Sequence, residues 1–478
     1  MDKQTPKGKI LEEQLGRKRK CAWEAVEGQA TETVFQFAED YKEFLDRAKT
    51  ERETVREIIC LARENGFLPF EEYRAGQQPL MPGTKLIVEQ REKAVALVVI
   101  GTEPITQGFR LVGSHLDSPR LDLKPEPLYE DEGLALFKTH YYGGIKKYQW
   151  TSLPLALHGV VYKRDGSKCE IVIGENPTDP VFLISDLLPH LAKDQMQKKM
   201  SEGIEGETLN LVVGNIPVTD DDVKEKVKLA ILATLHRNYG LVEEDFISAE
   251  LEAVPAGKPR DVGFDRGLIA AYGQDDRICV FASLKAILEL GQPRQTAIAL
   301  FMDKEEIGSV GKSGMQSRFF ENLIAELVYS TIQSDQSIWV RRALSSSQAI
   351  SADVNAGLDP NFEGVYDKRN AARIGYGVVL TKYTGSGGKA NSNEADAAYV
   401  NEIRRLFNRH GVVWQTGELG KIDQGGGGTI AAFIGNYGLD VIDCGPALLG
   451  MHAPWELASK IDLYMTYRAY ASFWTPDK

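Results

Sequence analysis

Residues 296–308 read Thr-Ala-Ile-Ala-Leu-Phe-Met-Asp-Lys-Glu-Glu-Ile-Gly, an apolar run that ends in a cluster of acids. The run at 296–302 predicts a buried strand, and Glu305 and Glu306 follow it closely. Adjacent glutamates after a buried strand are costly to desolvate unless a cation compensates their charge. Because neighbouring residues point in different directions, one glutamate can bind a metal while the other faces a bound water. The alternative is a solvated acidic turn, but the preceding apolar strand favours a functional site.

Strand-like and helix-like segments alternate along the chain. Apolar residues at helical spacing predict helices at 34–48, 55–62, 277–290 and 395–410. The predicted strands lie at 94–100, 110–113, 296–302, 327–331, 349–352, 376–380 and 439–443. This alternation is typical of an α/β fold in which helices cover a sheet.

Four further segments offer imidazole or carboxylate groups, several of them just after predicted strands. They contain His115 with Asp117, Asp275 with Asp276, Asp353, and His452. In open α/β sheets, ligands bind beyond the carboxyl ends of the strands, so residues distant in sequence meet at one edge. Two histidines with several carboxylates suit a paired site for zinc or another hard divalent cation. The set therefore predicts a two-metal hydrolase.

Some of these residues also have an ordinary structural interpretation. Asp275 and Asp276 precede a predicted helix, where carboxylates act as caps, although one of them can bridge two metals about 3.5–4 Å apart. Taken alone, Asp353 and His452 are equally consistent with hydrogen-bonded core groups. It is the combination that favours a metal site.

Asp117 lies two residues after His115 in a segment predicted to be extended. Residues at this spacing project to the same side, so the carboxylate can reach the imidazole. A metal-binding histidine usually donates its other ring N–H to such a partner. The alternative interpretation of this pair is a polar loop turn.

Residues 425–430 read Gly-Gly-Gly-Gly-Thr-Ile, which invites comparison with a phosphate-binding loop. The lysine of a Walker A motif is missing, and no ribose-binding acid follows at the usual distance. We therefore expect Gly427 and Gly428 to let a substrate backbone approach closely beside a helix N-terminus.

The chain of 478 residues exceeds the size at which one hydrophobic core stops growing, so two domains are expected. Short β-like runs and many turns predict that 119–261 form a domain inserted into another, built from 1–118 and 262–478. A net charge of -12 argues against nucleic-acid binding. Five scattered cysteines, no secretory signal and no apolar stretch long enough for a membrane span predict a cytoplasmic protein.

With these segments in place, the chain resembles the M18 family of metalloaminopeptidases over essentially its whole length beyond residue 30. The resemblance is carried by 113–122 (Gly-Ser-His-Leu-Asp-Ser-Pro-Arg-Leu-Asp), 303–309 (Asp-Lys-Glu-Glu-Ile-Gly-Ser), 351–361 (Ser-Ala-Asp-Val-Asn-Ala-Gly-Leu-Asp-Pro-Asn) and 448–452 (Leu-Leu-Gly-Met-His). It implies hydrolysis of the N-terminal residue from peptides. It also implies a three-layer αβα proteolytic domain with a mixed sheet, an inserted mainly-β dimerisation domain, and a tetrahedral dodecamer built from dimers.

The resemblance further implies roles for the candidate residues. One divalent ion would be held by His115, Asp275 and Asp353, and the other by Asp275, Glu306 and His452. Asp275 is then the bridging ligand, Glu305 is the general base, and Asp117 is a second catalytic residue. The expected ions are zinc, with cobalt or manganese as alternatives.

Three positions leave details of the resemblance open. Gln274-Asp275-Asp276 stands where related members read Leu-Asp-Asn, so Asp276 competes for the bridging role. Lys382 lies one residue after the position of a lysine found in acid-specific members, which makes it a candidate substrate-binding residue. The choice between acidic and neutral N-terminal residues therefore stays open. His190 lies in a region that, in some relatives, helps to close the active site of a neighbouring subunit.

Two other functions are compatible with parts of the sequence. A deacylase or carboxypeptidase of the broader two-metal hydrolase group uses the same order of ligands. A non-catalytic assembly protein can be built on the same fold, although it has no need for the full set of carboxylates and histidines.

Overall fold

A computed structural model of the protein describes residues 7–26, 28–75, 80–333 and 336–476. Its helices are α1 (Lys7–Leu15), α2 (Gln29–Arg47), α3 (Glu51–Glu64), α4 (Phe70–Ala75), α5 (Met200–Gly203), α6 (Lys226–Tyr239), α7 (Gln274–Leu288), α8 (Phe319–Ile332), α9 (Ser337–Ser345), α10 (Ala397–Arg409), α11 (Ala431–Gly435) and α12 (Lys460–Trp474).

The strands follow the same chain order. They are β1 (Leu68–Pro69), β2 (Lys85–Gln90), β3 (Ala94–Val99), β4 (Phe109–His115), β5 (Arg120–Asp131), β6 (Leu134–Tyr142), β7 (Leu155–Tyr162), β8 (Lys168–Ile173), β9 (Leu211–Gly214), β10 (Ala249–Pro255), β11 (Arg260–Val262), β12 (Leu268–Ala271), β13 (Thr296–Met302), β14 (Gln348–Ser351), β15 (Asn355–Ala356), β16 (Val378–Thr381), β17 (Trp414–Thr416), β18 (Asp440–Gly445), β19 (Ala447–Leu449) and β20 (Glu456–Ser459).

The largest sheet has nine strands in the order β1-β2-β3-β13-β4-β14-β18-β16-β17. Its centre is parallel, because β4 pairs in parallel with both β13 and β14, and β14 pairs in parallel with β18. Strands β3 and β16 run antiparallel to their neighbours β13 and β18. The predicted α/β fold with a mixed sheet is therefore confirmed.

Alternation along β13 explains how helices cover both faces of this sheet. Ala297, Ala299 and Phe301 pack into a core shared with α2, α3, α7, α10 and α12. Ile298, Leu300 and Met302 belong to a second core shared with α8, α9 and α11. Successive side chains of a strand point to opposite faces, so an uninterrupted apolar run is what a doubly covered strand requires.

Most predicted elements of this layer are confirmed, with boundaries that move by a few residues. One prediction is wrong, because 327–331 do not form a strand but lie in α8. The buried apolar residues of α8 recur at helical spacing, namely Phe319, Phe320, Leu323, Ile324, Leu327 and Val328. A five-residue apolar window does not show this period, so the short run alone was misleading.

Residues 120–255 supply a separate six-stranded sheet in the order β8-β7-β10-β5-β6-β9. All its strand pairs are antiparallel, and it has a hydrophobic core of its own that includes Trp150, Leu157 and Phe246. A third sheet, of five short strands, has the order β11-β12-β20-β19-β15. Across the described ranges, we find no helix with the length and apolar character needed to cross a bilayer.

The register of the nine-stranded sheet aligns three strand ends. His115, the last residue of β4, pairs with Met302, the last residue of β13. Ser351, which ends β14, pairs with Gly113 on the other side of β4. The residues that follow these strands therefore emerge at one edge of the sheet, as expected for the carboxyl ends of parallel strands.

Candidate metal centre

Five of the candidate ligands meet at this edge. His115, Glu306 and Asp353 come from the ends of β4, β13 and β14, whereas Asp275 lies in the irregular first turn of α7 and His452 in the loop after β19. The side chains of these residues line one cavity of 960 Å³. Segments that are up to hundreds of residues apart in sequence therefore contribute to a single site.

Asp275 occupies the middle of the group. Its Oδ1 lies 3.2 Å from His115 Nε2, and its Oδ2 lies 3.2 Å from His452 Nε2. His452 Nε2 is also 3.3 Å from Glu306 Oε1, and His115 Nε2 is 3.9 Å from Asp353 Oδ1. One carboxylate thus contacts two imidazoles through different oxygens, and each imidazole has a second carboxylate beside it.

The neighbouring aspartate has a different environment. Asp276 Oδ2 accepts a hydrogen bond from the backbone N–H of His115 at 3.3 Å. A carboxylate oxygen of Asp276 also lies close enough to ligand atoms of His115 and Asp353 for the three residues to hold one metal ion. Asp276 therefore borders the His115 side of the centre, whereas Asp275 reaches both histidines.

Asp117 is held differently from the sequence prediction. The imidazole N–H at Nδ1 of His115 lies 3.0 Å from the Asp117 carbonyl oxygen, but 3.5 Å from its carboxylate Oδ1. The carboxylate accepts hydrogen bonds from the backbone N–H groups of Glu305 and Glu306, at 3.1 and 3.2 Å. The i, i+2 spacing brings the two residues together as expected, but backbone donors of the acidic turn occupy the carboxylate.

His452 is oriented by two groups that sequence reasoning missed. Its Nδ1 lies 2.9 Å from the carbonyl oxygen of Gly144, which leaves Nε2 facing Asp275 and Glu306. Glu456 accepts hydrogen bonds from the backbone N–H groups of both His452 and Asp275, at 2.8 and 3.1 Å. The sequence shows a glutamate four residues after His452, but nothing in it indicates that Gly144 lies beside this site.

Burial and crowding of like charges dominate the electrostatics. Burial raises the pKa of Glu305 to about 7, with His115 opposing and the charges of Asp117 and Asp275 adding to the rise. Burial raises the pKa of Glu306 and of Asp353 well above its usual range, and neighbouring carboxylates add to both shifts. Although burial alone would lower it, the hydrogen bond to Asp275 raises the pKa of His452 to about 10. The site therefore strongly favours added positive charge.

These residues fit a metal. Glu306 Oε1 is buried and accepts no hydrogen bond from the described residues, although a buried carboxylate oxygen normally needs a partner. Three groups of donor atoms each lie within 4.8 Å of one another. They are Asp275 with Glu306 and His452, His115 with Asp276 and Asp353, and His115 with Glu305 and Glu306. Imidazole nitrogens and carboxylate oxygens are the donors that zinc uses in catalytic sites.

The remaining predicted site residues divide into two groups. Glu305, Gly427 and Gly428 line the same cavity as the candidate ligands. Lys382 does not; its Nζ lies 3.9 Å from Glu394, and its side chain is half exposed. His190 is exposed on a loop of the segment that carries the six-stranded sheet.

A family model described as "Aminopeptidase I zinc metalloprotease (M18)" matches residues 44–474. The chain belongs to the M18 family. A probable M18 family aminopeptidase 1 from Clostridium acetobutylicum is 49% identical over 459 residues, which cover 96% of this chain and 98% of that protein.

Solved structures agree with this assignment. The crystal structure of an M18 family aminopeptidase from Thermotoga maritima matches with a TM-score of 0.92 and 47% identity, covering 96% of this chain and 99% of that one. The S. cerevisiae mApe1 dodecamer matches with a TM-score of 0.72 at 21% identity, covering 91% and 95% of the two chains. The latter shares the fold of this M18 chain.

Proposed function

We propose that this M18 zinc aminopeptidase holds two metal ions at the centre described above. His115, Asp275 and Asp353 would bind one ion, and Asp275, Glu306 and His452 the other. The observation that carries the proposal is the pair of 3.2 Å contacts from the two oxygens of Asp275 to two different imidazoles. A carboxylate has one oxygen for each ion of a closely spaced pair.

Bound zinc would supply a water of lowered pKa and a Lewis acid for the scissile carbonyl. The chain's own contribution begins with Glu305, which lines the cavity beside the ligands and serves as the general base. Its carboxylate takes the proton of the attacking water and returns it to the leaving amine.

Other residues position these groups. Asp117 serves as a positioning residue, because its carboxylate holds the backbone of Glu305 and Glu306. Gly427 and Gly428 leave one wall of the cavity without side chains, which gives room for the substrate backbone. Glu456 holds the backbone at both Asp275 and His452.

The first prediction concerns the free α-amino group of the substrate. We expect leucine p-nitroanilide to be cleaved and N-acetyl-leucine p-nitroanilide to react about 10⁴-fold more slowly, because a site built for an amine rejects an analogue that cannot pair with it. The rates are compared at equal enzyme and zinc concentrations. Efficient release of acetate from N-acetylated amino acids would instead identify a deacylase of the same hydrolase group.

A second prediction concerns the N-terminal side chain. No lysine or arginine of the described ranges lines the cavity, whereas Leu419, Phe433 and Met451 do. An acidic side chain would therefore be desolvated without a cationic partner, which is unfavourable. We expect kcat/KM for leucine and methionine p-nitroanilides to exceed that for the aspartate and glutamate compounds by about 10-fold or more.

Lys382 decides how a contrary result would be interpreted. If acidic substrates are cleaved faster, and Lys382→Ala removes that advantage, this lysine leaves Glu394 to bind substrate and the neutral preference is wrong. A faster reaction of acidic substrates that survives the substitution contradicts the neutral preference as well, and assigns the recognition to another cation.

We also propose that 119–261 form an inserted mainly-β dimerisation domain beside a three-layer αβα domain of 1–118 and 262–478. The separate core of the six-stranded sheet supports this division. The fold shared with the mApe1 dodecamer supports an assembly of twelve subunits, and the cytoplasm is the proposed location. The mass of the purified protein in solution, measured by light scattering, tests the assembly.

A further inference from the structure

Residues 142–144 read Tyr-Gly-Gly and connect the six-stranded sheet to the candidate metal centre. Tyr142 is the last residue of β6, and it pairs with Arg120, the first residue of β5. Arg120 follows Asp117 by three residues. The β5–β6 hairpin therefore leaves the centre and returns to it, which places 142–144 beside the candidate ligands.

Tyr142 acts on the acidic turn through Asp117. Its hydroxyl donates a hydrogen bond to Asp117 Oδ2 at 2.8 Å. The same carboxylate accepts from the backbone N–H groups of Glu305 and Glu306. Three donors thus fix the buried carboxylate of Asp117. This carboxylate in turn holds the backbone of Glu305, the proposed general base, and of Glu306, a proposed ligand.

The ring of Tyr142 is itself held in place. The guanidinium carbon of Arg120 lies 3.9 Å from the ring centroid, a distance typical of a cation–π contact. Arg120 is anchored by Asp122 at 2.8 Å and by Glu252 at 3.3 Å, which are both residues of the six-stranded sheet. The hydroxyl is therefore presented to Asp117 by a rigid support.

Gly143 lies against Glu306, one of the proposed metal ligands. A Cβ at this position would lie 3.3 Å from both Cβ and Oε2 of Glu306, and 3.3 Å from the ring of Pro119. Its φ of 72° also lies in the left-handed region that favours glycine. A side chain here would push against Glu306.

Gly144 contacts the proposed ligand His452 through its carbonyl oxygen. It accepts a hydrogen bond from His452 Nδ1–H at 2.9 Å, so the lone pair of Nε2 points towards Asp275 and Glu306. Such outer contacts fix the tautomer of a metal-binding histidine and typically affect metal affinity or activity by about 10–100-fold.

We infer that Tyr142, Gly143 and Gly144 position the catalytic centre, with Tyr142 as the positioning residue for the turn of Glu305 and Glu306. The inference rests on the proposed function, because it concerns the same site. It assigns to the β5–β6 hairpin of 119–261 a positioning role at the catalytic centre of the same subunit.

Tyr142→Phe tests the hydroxyl, and Tyr141→Phe is the matched control. Tyr141 is the preceding residue of β6, is exposed, and makes no hydroxyl hydrogen bond with any residue in the described ranges. Each full-length variant is measured for kcat and KM with leucine p-nitroanilide. The dissociation constant for zinc is measured by chelator competition, and thermal stability is measured on the zinc-free proteins.

We expect Tyr142→Phe to lower kcat and weaken zinc binding, each by about 10-fold or more, with KM within about twofold of wild type. Tyr141→Phe should match wild type in all three. The inference is overturned if Tyr142→Phe matches Tyr141→Phe, or if it lowers only the melting temperature.

Gly143→Ala provides a second test if Tyr142→Phe does not fold. Its added methyl displaces Glu306, so zinc binding should weaken by about 10-fold or more while Tyr142 stays intact. Unchanged zinc binding in a folded Gly143→Ala protein overturns the inference. A wild-type protein that neither binds zinc nor cleaves the substrate would instead refute the proposed function itself.

Discussion

Glu305→Gln should lower kcat by about 10²–10⁴-fold while the protein keeps its full zinc content. The amide has nearly the same size as the carboxylate but cannot accept the proton of the attacking water. Glu305 lines the cavity beside the candidate ligands, where it can reach the attacking water. Steady-state kinetics with leucine p-nitroanilide and elemental analysis of the same sample measure both quantities.

The adjacent residue provides the matched comparison. Glu306 Oε1 lies 3.3 Å from His452 Nε2, so Glu306→Gln should lose zinc as well as turnover. If Glu305→Gln turns over at the wild-type rate, Glu305 is not the general base. If it loses zinc as Glu306→Gln does, Glu305 is a metal ligand rather than the general base.

His452→Ala should reduce the zinc content from two ions per chain to one and lower kcat by about 10³-fold. His452 is the only histidine in the donor group that it forms with Asp275 and Glu306. Removing it leaves two carboxylates, and the lost ion contributes several kcal/mol of charge stabilisation in the transition state. Elemental analysis after dialysis against metal-free buffer gives the ion count.

His140→Ala is the control for this substitution. His140 is exposed on β6, and its Nδ1 lies 2.8 Å from the carbonyl oxygen of Tyr141 rather than near a carboxylate cluster. It should keep two zinc ions and wild-type turnover. A His452→Ala protein with two tightly bound ions would show that the second ion is held elsewhere.

The sequence predicts the part of the site that follows the rules of parallel sheets. The unbroken apolar run of β13 predicts a buried strand, and the acids that follow it lie at the carboxyl end of that strand. His115 and Asp353 were found in the same way. The pairing of Asp275 with both histidines came only from the resemblance, because two consecutive aspartates before a helix have the same local signal.

Contacts across the insertion were beyond sequence reasoning. Nothing in Tyr142, Gly143 or Gly144 indicates that they lie beside Glu306 and His452, since that depends on how β6 returns along β5. β5 is not among the predicted strands, and its prolines lie where its pairing with β6 shifts register, between Leu123 and Leu128. Proline is tolerated in a strand at such irregularities.

The role of Asp117 shows a related limit. The i, i+2 spacing correctly predicts that Asp117 lies near His115. It gives no information about other hydrogen-bond donors that compete for the Asp117 carboxylate. Two backbone N–H groups of the turn at Glu305 and Glu306 and the Tyr142 hydroxyl take up its carboxylate, so the imidazole turns to the carbonyl oxygen. Local periodicity predicts proximity, whereas hydrogen-bond partners depend on the tertiary fold.

Anomalous diffraction from crystals of the wild-type protein at the zinc absorption edge tests the central claim most directly. We expect two peaks about 3.5–4 Å apart on either side of Asp275, one beside His115 and Asp353 and the other beside Glu306 and His452. A single peak, or two peaks away from the Asp275 carboxylate, would contradict the two-metal centre.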